Sequence, residues 1–217
     1  CAIAITEPGA GSDVANIKTK AIKDGDAYIV NGAKTFITNG VYGDFMVAVV
    51  KTDPSAGVDG VSLLVIDRNA EGVSARKLEK MGWHASDTAE LNFDDVRVPV
   101  ENLIGEEGQG FKYLLHGLNP ERVLFAVEAI GLGQAALAKA AQYAQERVVF
   151  GRAIGQNQGI AHPLAKSWAE LEAAELMAYK AASKFDQKLD CGAEANAAKY
   201  LGAEAGFKAC ETAVLTH

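Results

Sequence analysis

The spacing of hydrophobic residues changes near residue 103. Before it, short runs of β-branched and aromatic residues alternate with turn sequences, a pattern typical of β-strands. The clearest runs are residues 27–30, 46–50, 61–66 and 91–93. Turn sequences such as Asp24-Gly25-Asp26 and Asn31-Gly32 separate them at hairpin spacing. We therefore predict an antiparallel, barrel-like β-domain over residues 1–103.

Beyond residue 103, alanine, leucine and long polar residues dominate, and these residues favour helix. A first helix is predicted to begin at Asn119-Pro120, because asparagine is a good N-cap and proline suits the first helical position. A second helix is predicted from about Pro163 to Gly192, where glycine can end it with a left-handed cap.

The second helix carries apolar residues three and four positions apart, as a core-facing stripe requires. They are Leu164, Trp168, Leu171, Ala178, Ala182, Phe185 and Leu189. A third helix, from about residue 194, is rich in alanine and glycine, so that neighbouring helices can approach closely. We predict a truncated helical bundle domain over residues 104–217, and the fold class is therefore α+β.

Composition and charge exclude several classes of protein. The net charge of -7 argues against a nucleic-acid partner, which needs a concentrated basic surface. Three separated cysteines suit reduced thiols, and four histidines without ligand spacing predict no metal site. No stretch approaches the roughly 18 apolar residues of a membrane helix, so we expect no membrane span.

Two motifs carry the candidate chemistry: the first motif, residues 4–13 (AITEPGAGSD), and the second motif, residues 31–40 (NGAKTFITNG). Small residues in the first leave backbone amides uncovered, so that an anion such as a pyrophosphate can approach. Thr6 and Ser12 add hydroxyl donors. In the second motif, Phe36 offers a stacking face and Thr38 a hydroxyl to a flat polar ring. A glycine-rich turn alone also fits an ordinary surface turn.

Four further segments accompany the motifs in the same order: residues 81–88, 93–99, 105–111 and 146–152. With the two motifs, they make the whole chain resemble the acyl-CoA dehydrogenases. The resemblance implies FAD as cofactor, an acyl-CoA substrate oxidised to trans-2-enoyl-CoA, and an electron-transferring flavoprotein as acceptor. It also implies a homo-oligomer, a dimer or tetramer. Members of the family are longer, so we interpret the chain as a fragment that binds FAD weakly or not at all by itself.

The resemblance also assigns residues to ligands. The FAD contacts that it implies are Ile5, Thr6, Gly11, Ser12, Phe36, Ile37, Thr38, Arg147, Phe150 and Gln158. The last three match positions that hold the adenine and pyrophosphate of FAD bound to a neighbouring subunit. The acyl-CoA contacts that it implies are Ser12, Thr52, Asn119 and Arg122. Asn119 departs from the family pattern, since some relatives have an acidic residue there.

Glu121 is the candidate catalytic base. The family places its base either well beyond residue 217 or immediately before the arginine that corresponds to Arg122, and Glu121 occupies the second position. A different explanation stays open. Acidic residues are favoured in the first turn of a helix because they complement its dipole.

Rival functions use the same scaffold. They are an acyl-CoA oxidase, a flavin monooxygenase-like relative and a non-catalytic acyl-CoA-binding subunit. A P-loop type of phosphate site is discounted, because no lysine follows the glycine-rich turn. We expect a cytoplasmic protein, or one of the mitochondrial matrix, with the cytoplasm preferred.

Overall fold

Seven strands form one mixed sheet in the first of two compact units, residues 1–114 and 115–217, of a computed structural model that describes residues 1–217. The strands are β1 Ala2–Ala4, β2 Lys20–Asp24, β3 Ala27–Thr38, β4 Phe45–Lys51, β5 Val61–Asp67, β6 Val73–Lys77 and β7 Thr88–Pro99. All four strand runs predicted from the sequence lie within them. The sheet is mixed rather than purely antiparallel, because β4 pairs in parallel with β1 and β2.

The remaining pairings of the sheet are antiparallel. β4 pairs with β5, and the order continues from β2 through β3 and β7 to β6. Alternate residues of β4, such as Met46, Ala48 and Val50, pack with Leu64 and Ile66 of β5 in one hydrophobic core. Each of these side chains is almost fully buried, and so are Val49 and Leu63 on the opposite faces, so both faces of these strands are covered.

Strand β3 is continuous, but its pairing has two irregularities. Its pairing with β7 shifts register between Val30 and Gly32 and again between Lys34 and Ile37. The prediction of a turn at Asn31-Gly32 was therefore wrong, since both residues lie inside a continuous strand. Gly32 has a φ of 153°, and a Cβ there would lie 2.7 Å from the Thr19 Cα. Glycine permits this close backbone approach rather than a chain reversal.

The second unit is helical. Its helices are α1 Gly110–Glu146, whose first residues belong to the first unit, α2 Gln158–Asp186 and α3 Gly192–Thr216. The short strands β8 Val148–Val149 and β9 Arg152–Ala153 connect α1 to α2. This α+β architecture confirms the predicted fold class.

The predicted start of the first helix and both predicted boundaries of the second were wrong; α2 begins at Gln158 rather than near Pro163. Helix α1 begins at Gly110 and continues through Asn119 and Pro120, because the apolar and aromatic residues before them extend the helix. Helix α2 ends at Asp186, and the residue with left-handed φ beyond it is Lys188, at 57°. Gly192 is instead the first residue of α3.

Small residues bring α3 close to α1, as their abundance predicted. A Cβ on Gly202 would lie 2.9 Å from the Ala126 carbonyl oxygen, and one on Gly206 would lie 2.8 Å from the Ala129 carbonyl carbon. The buried face of α2 also consists largely of small residues: Ser167, Leu171, Ala174, Ala178 and Ala181. Three residues of the predicted inner stripe are exposed instead: Trp168 and Phe185 on α2, and Leu189, which lies beyond the end of α2.

Helix α1 is long and apolar enough to cross a membrane by length and composition, with a mean hydropathy of 1.5 in its most apolar stretch. We expected no such stretch from the sequence. In this unit Ala126, Ile130 and Leu137 of α1 are buried in one hydrophobic cluster with α2 and α3. Only 28% of that apolar stretch is buried, however, so α2 and α3 cover α1 in part rather than fully.

Candidate cofactor and substrate site

The first motif forms a turn whose outer side is open. The amides of Glu7 and Ala10 each donate to the other residue's carbonyl, at 3.0 and 3.1 Å, and these bonds close the turn. A Cβ on Gly9 or Gly11 would meet no atom within 4 Å. The amides of Gly9, Gly11 and Ser12 donate no hydrogen bond inside the chain. Free amides on an uncovered turn fit the phosphate groups of a dinucleotide.

The second motif meets the first through the backbone. The Thr35 amide donates to the Thr6 carbonyl at 2.8 Å. Thr35 and Phe36 lie at the second register shift of β3, and such bulges redirect side chains near functional sites. Phe36 has a φ of 60°, and its ring is 69% exposed. An exposed aromatic residue thus follows, next in the chain, the residue that bonds to Thr6.

Ile37 and Thr38, the other two predicted FAD contacts on β3, differ in exposure. Thr38 is exposed at the end of the strand, so its hydroxyl can reach a ligand. Ile37 is 2% exposed, and its side chain packs in the core of the sheet. The Ile37 side chain therefore faces away from the exposed Phe36 and Thr38, because successive side chains of a strand point to opposite faces.

A buried ion pair connects the two motifs. Lys34 Nζ lies 2.9 Å from Glu7 Oε1, and both side chains are almost fully buried. Lys34 Nζ also donates to the Ile5 carbonyl at 2.9 Å, while the Glu7 carboxylate accepts the amides of Lys18 and Thr19. We had assigned no role to Glu7 or Lys34 from the sequence. The only feature of the sequence that pointed to a role for these two residues was their position inside the two motifs.

Burial and hydrogen bonding shift the pKa values of both Glu7 and Lys34. Burial raises the pKa of Glu7, but hydrogen bonds from Thr19 and Lys18 and the charge of Lys34 outweigh burial, so that the pKa of Glu7 is lowered. Burial lowers the pKa of Lys34, and Glu7 offsets this effect only in part. The pair therefore depends on its own hydrogen bonds to remain charged in an apolar setting.

Two candidate acyl-CoA contacts lie in the first unit. Ser12 is exposed on the open side of the turn. Thr52 is half-buried, and its hydroxyl lies 2.7 Å from the Ser62 hydroxyl, with which it shares a hydrogen bond. The Lys51 amide donates to the Thr19 carbonyl, and the Thr19 amide donates to Glu7. The end of β4 therefore lies near the first motif, although the Thr52 hydroxyl already has a partner.

Glu121 is an interior residue of α1, eleven positions beyond Gly110. The helix-dipole explanation for this glutamate was therefore wrong, because that effect is confined to the first turn. Glu121 is half-buried, as are its neighbours Asn119 and Arg122. The role of Glu121 as a catalytic base stays a prediction from the sequence.

The structure separates Asn119 from Glu121. Arg122 donates to the Asn119 side-chain oxygen at 2.9 Å, and Asn119 lines a cavity of about 770 Å³ with Phe185 and Asp186. Residues two positions apart on a helix point about 200° apart and do not face each other. Asn119 and Glu121 cannot both present their side chains on one face of α1.

The remaining candidates lie on the connection between α1 and α2. Arg147 follows the last residue of α1, Phe150 lies in the turn between β8 and β9, and Gln158 begins α2. All three are exposed, and Arg147 forms no ion pair within the chain. Phe150 has a φ of 53° and is fully exposed. A free guanidinium and an exposed ring suit a phosphate and a nucleobase.

Comparison with known proteins gives the family. Residues 2–96 match the model of the acyl-CoA dehydrogenase middle domain, and residues 108–217 match that of the C-terminal domain. An acyl-CoA dehydrogenase of Bacillus subtilis is 42% identical over 214 residues, which are 98% of this chain and 56% of the relative. The caffeyl-CoA reductase-Etf complex subunit CarC of Acetobacterium woodii is 42% identical over all 217 residues, which are 57% of that protein.

A solved structure agrees. The acyl-CoA dehydrogenase from Geobacillus kaustophilus superposes with a TM-score of 0.96 at 42% identity, covering 100% of this chain and 58% of that one. The chain thus spans little more than half the length of the proteins it matches. On these grounds, the chain belongs to the acyl-CoA dehydrogenase family and carries its middle domain followed by C-terminal-domain sequence.

Proposed function

We propose that this chain supplies most of the cofactor and substrate contacts of an FAD-dependent acyl-CoA dehydrogenase. The reaction would convert an acyl-CoA thioester to its trans-2-enoyl form. The observation that carries the proposal is the hydrogen bond from the Thr35 amide to the Thr6 carbonyl. It joins two motifs that are distant in sequence, one with free amides and the other with an exposed ring. Bound FAD would accept the hydride from the β-carbon of the substrate.

The chain's own residues would hold and orient that cofactor. The free amides of Gly11 and Ser12 would donate to the pyrophosphate, where an added Cβ at Gly11 meets no obstruction. Phe36 would cover the ring face, and the Thr38 hydroxyl would donate to a polar ring atom. Arg147, Phe150 and Gln158 would hold the adenine and pyrophosphate of a cofactor bound to a second subunit.

Glu121 would act as the general base. Its carboxylate would take the proton from the carbon next to the thioester, while hydrogen-bond donors stabilise the charge that develops on the carbonyl oxygen. Arg122 is held by Asn119 and would face the negative groups of the substrate. Since Asn119 points away from Glu121, we assign Asn119 to the part of acyl-CoA remote from the α-carbon.

Partners and location belong to the same proposal. An electron-transferring flavoprotein would accept the electrons, and a relative at 42% identity is described as a subunit of an Etf complex. The assembly would be a homodimer or homotetramer, consistent with contacts to a cofactor on a second subunit. We propose a cytoplasmic protein.

The test is anaerobic bleaching of bound flavin by a panel of acyl-CoA thioesters, measured with the intact protein. Wild type should bleach with at least one thioester, and Glu121→Gln should not, while it retains FAD. Glu128→Gln is a matched control, because Glu128 is half-buried two turns further along the same face of α1. Bleaching that survives in Glu121→Gln would place the base elsewhere. A wild type that no thioester bleaches would contradict the proposed dehydrogenase.

A further inference from the structure

Lys34 is a fully buried cation whose ammonium has two partners. The side chain of Lys34 on β3 has no exposed surface, and its Nζ lies 2.9 Å from both the Ile5 carbonyl oxygen and Glu7 Oε1. Glu7 in turn accepts the amides of Lys18 and Thr19, at 2.6 and 3.0 Å. The pair thereby joins three backbone segments: the first motif, the second motif and the chain entering β2.

These bonds fix the backbone of the first motif at its base. The carbonyls of Ile5 and Thr6 are consecutive, and both accept hydrogen bonds from consecutive residues of β3, Lys34 and Thr35. Because a trans peptide holds its N–H opposite its C=O, fixing the Ile5 carbonyl also fixes the direction of the Thr6 amide. That amide donates no hydrogen bond inside the chain.

A buried ion pair is a costly way to stabilise a fold. Taking two charges out of water offsets much of their attraction, and apolar residues of similar size often serve stability equally well. The bond to the Ile5 carbonyl is one that an apolar side chain could not make. The arrangement therefore supplies orientation at this position in addition to stability.

We propose that Lys34 is a positioning residue for the flavin: it holds the Ile5 carbonyl so that the Thr6 amide points at the edge of the flavin ring. Glu7 fixes the Lys34 ammonium in place. This inference rests on the proposed function, because the flavin site is itself a proposal. Lys34 acts through the backbone of residues 5 and 6 and does not touch the cofactor.

The test separates orientation from stability with three variants of the intact protein: Lys34→Met, Glu7→Gln and the double variant. Each single variant leaves one buried charge without its partner, so its unfolding temperature should fall. The double variant has no unpaired charge, so its unfolding temperature should recover toward wild type. Its dissociation constant for FAD should nevertheless stay at least tenfold higher than that of wild type, with a shifted absorption spectrum of the bound flavin.

The matched control is the double variant Arg76→Met with Glu90→Gln. This pair also joins neighbouring strands, and Arg76 donates to Glu90 at 2.6 Å, but both side chains are considerably exposed. FAD affinity and spectrum should not change in the control. Wild-type affinity and spectrum in the Lys34→Met, Glu7→Gln double variant would overturn the proposal.

A second readout needs no cofactor. Hydrogen exchange of the Thr35 amide, measured without FAD, should be at least tenfold faster in the double variant, because the backbone that it bonds to has lost its anchor. Unchanged exchange at Thr35 would contradict the positioning role even when wild type binds FAD. A wild type that binds no FAD would instead contradict the proposed function, and the flavin part of this inference with it.

Discussion

Phe36 and Phe150 share a backbone conformation that is unfavourable for aromatic residues. Their φ angles are 60° and 53°, and both rings are exposed, by 69% and 100%. A left-handed conformation costs a residue with a side chain roughly 1–2 kcal/mol, and an exposed ring recovers little of this by burial. Backbone strain of this kind clusters at functional sites, although Asn39, Trp83, Asp95 and Lys188 also have a positive φ. The two residues are also the aromatic side chains assigned to the flavin ring and to adenine.

Replacing Phe36 or Phe150 by glycine should weaken FAD binding without lowering the stability of the fold. Because glycine adopts positive φ without steric cost, Phe36→Gly and Phe150→Gly should leave the free energy of unfolding unchanged or raise it by up to about 1 kcal/mol. FAD affinity should fall at least fivefold in each variant. Urea unfolding and titration of flavin fluorescence would measure the two effects.

Lys188→Gly is the control for this pair of variants. Lys188 has a φ of 57° and is exposed after the end of α2, with no assigned cofactor contact. It should gain the same stability and keep wild-type FAD affinity. Normal FAD affinity in both phenylalanine variants would remove these rings from the cofactor site.

Local patterns predicted the elements and missed their ends. Short β-branched and apolar runs between turn sequences identified β4 and β5, and small residues identified the close approach of α3 to α1. Asn119-Pro120 has the residues of a helix start, yet the helix continues through it, because helical residues before it supply further backbone hydrogen bonds. Capping preferences amount to about 1 kcal/mol, which packing along a long helix can exceed.

The candidate site was predictable only in part, because it depends on contacts between residues that are distant in the sequence. The two motifs could be recognised from residue types, but the pairing of Glu7 with Lys34 joins residues 27 positions apart. Charged residues are normally exposed, so nothing in their spacing indicates burial. The burial of Ile37 depends on the register shift in β3, which is likewise a property of the pairing with β7.

Stability should fall in acid partly because of Glu7. Its pKa in the folded state is lowered from an ordinary value of 4.5, so the unfolded chain binds more protons than the folded one as the pH falls through this range. The stabilisation is complete above pH 4.5 and is lost as the pH falls through the lowered pKa. Glu7→Gln should lower the free energy of unfolding at neutral pH by about 3 kcal/mol, because it leaves Lys34 buried without its partner.

The same variant should also flatten the acid limb of the profile. Denaturant unfolding between about pH 6 and about pH 3 would show a smaller loss for Glu7→Gln than for wild type. Glu90→Gln removes an exposed ion-pair partner and should change stability by less than about 1 kcal/mol. An acid limb in Glu7→Gln as steep as that of wild type would show that Glu7 is not responsible.

Gly206 should tolerate no side chain. A Cβ at Gly206 would lie 2.8 Å from the carbonyl carbon of Ala129, which is backbone and cannot move independently of α1. Gly206→Ala should therefore destabilise the helical unit by roughly 1–3 kcal/mol, despite the higher helix propensity of alanine.

Gly131→Ala is the matched control, because Gly131 is helical, exposed and has no atom within 4 Å of an added Cβ. It should gain about 0.5–1 kcal/mol. Equal effects in thermal unfolding would show that α1 and α3 are not closely packed at Gly206.

Pro120 lies inside α1 immediately before Glu121, where it removes one helical hydrogen bond. Its nitrogen has no proton to donate to the carbonyl four residues earlier, at His116, and proline inside a helix costs about 3 kcal/mol relative to alanine. Pro120→Ala should therefore raise the free energy of unfolding by about 1–3 kcal/mol. If the proline sets the direction of the Glu121 carboxylate, the rate of flavin bleaching by acyl-CoA should fall at least fivefold in the same variant.

Pro163→Ala provides the comparison. Pro163 is also inside a helix, the sixth residue of α2, and it has no assigned substrate contact. Pro163→Ala should raise stability without changing the bleaching rate. A bleaching rate in Pro120→Ala equal to that of wild type would mean that the geometry of Glu121 does not depend on the proline. A slower rate in a more stable protein would mean that Pro120 lowers the stability of the helix but sets the direction of the Glu121 carboxylate.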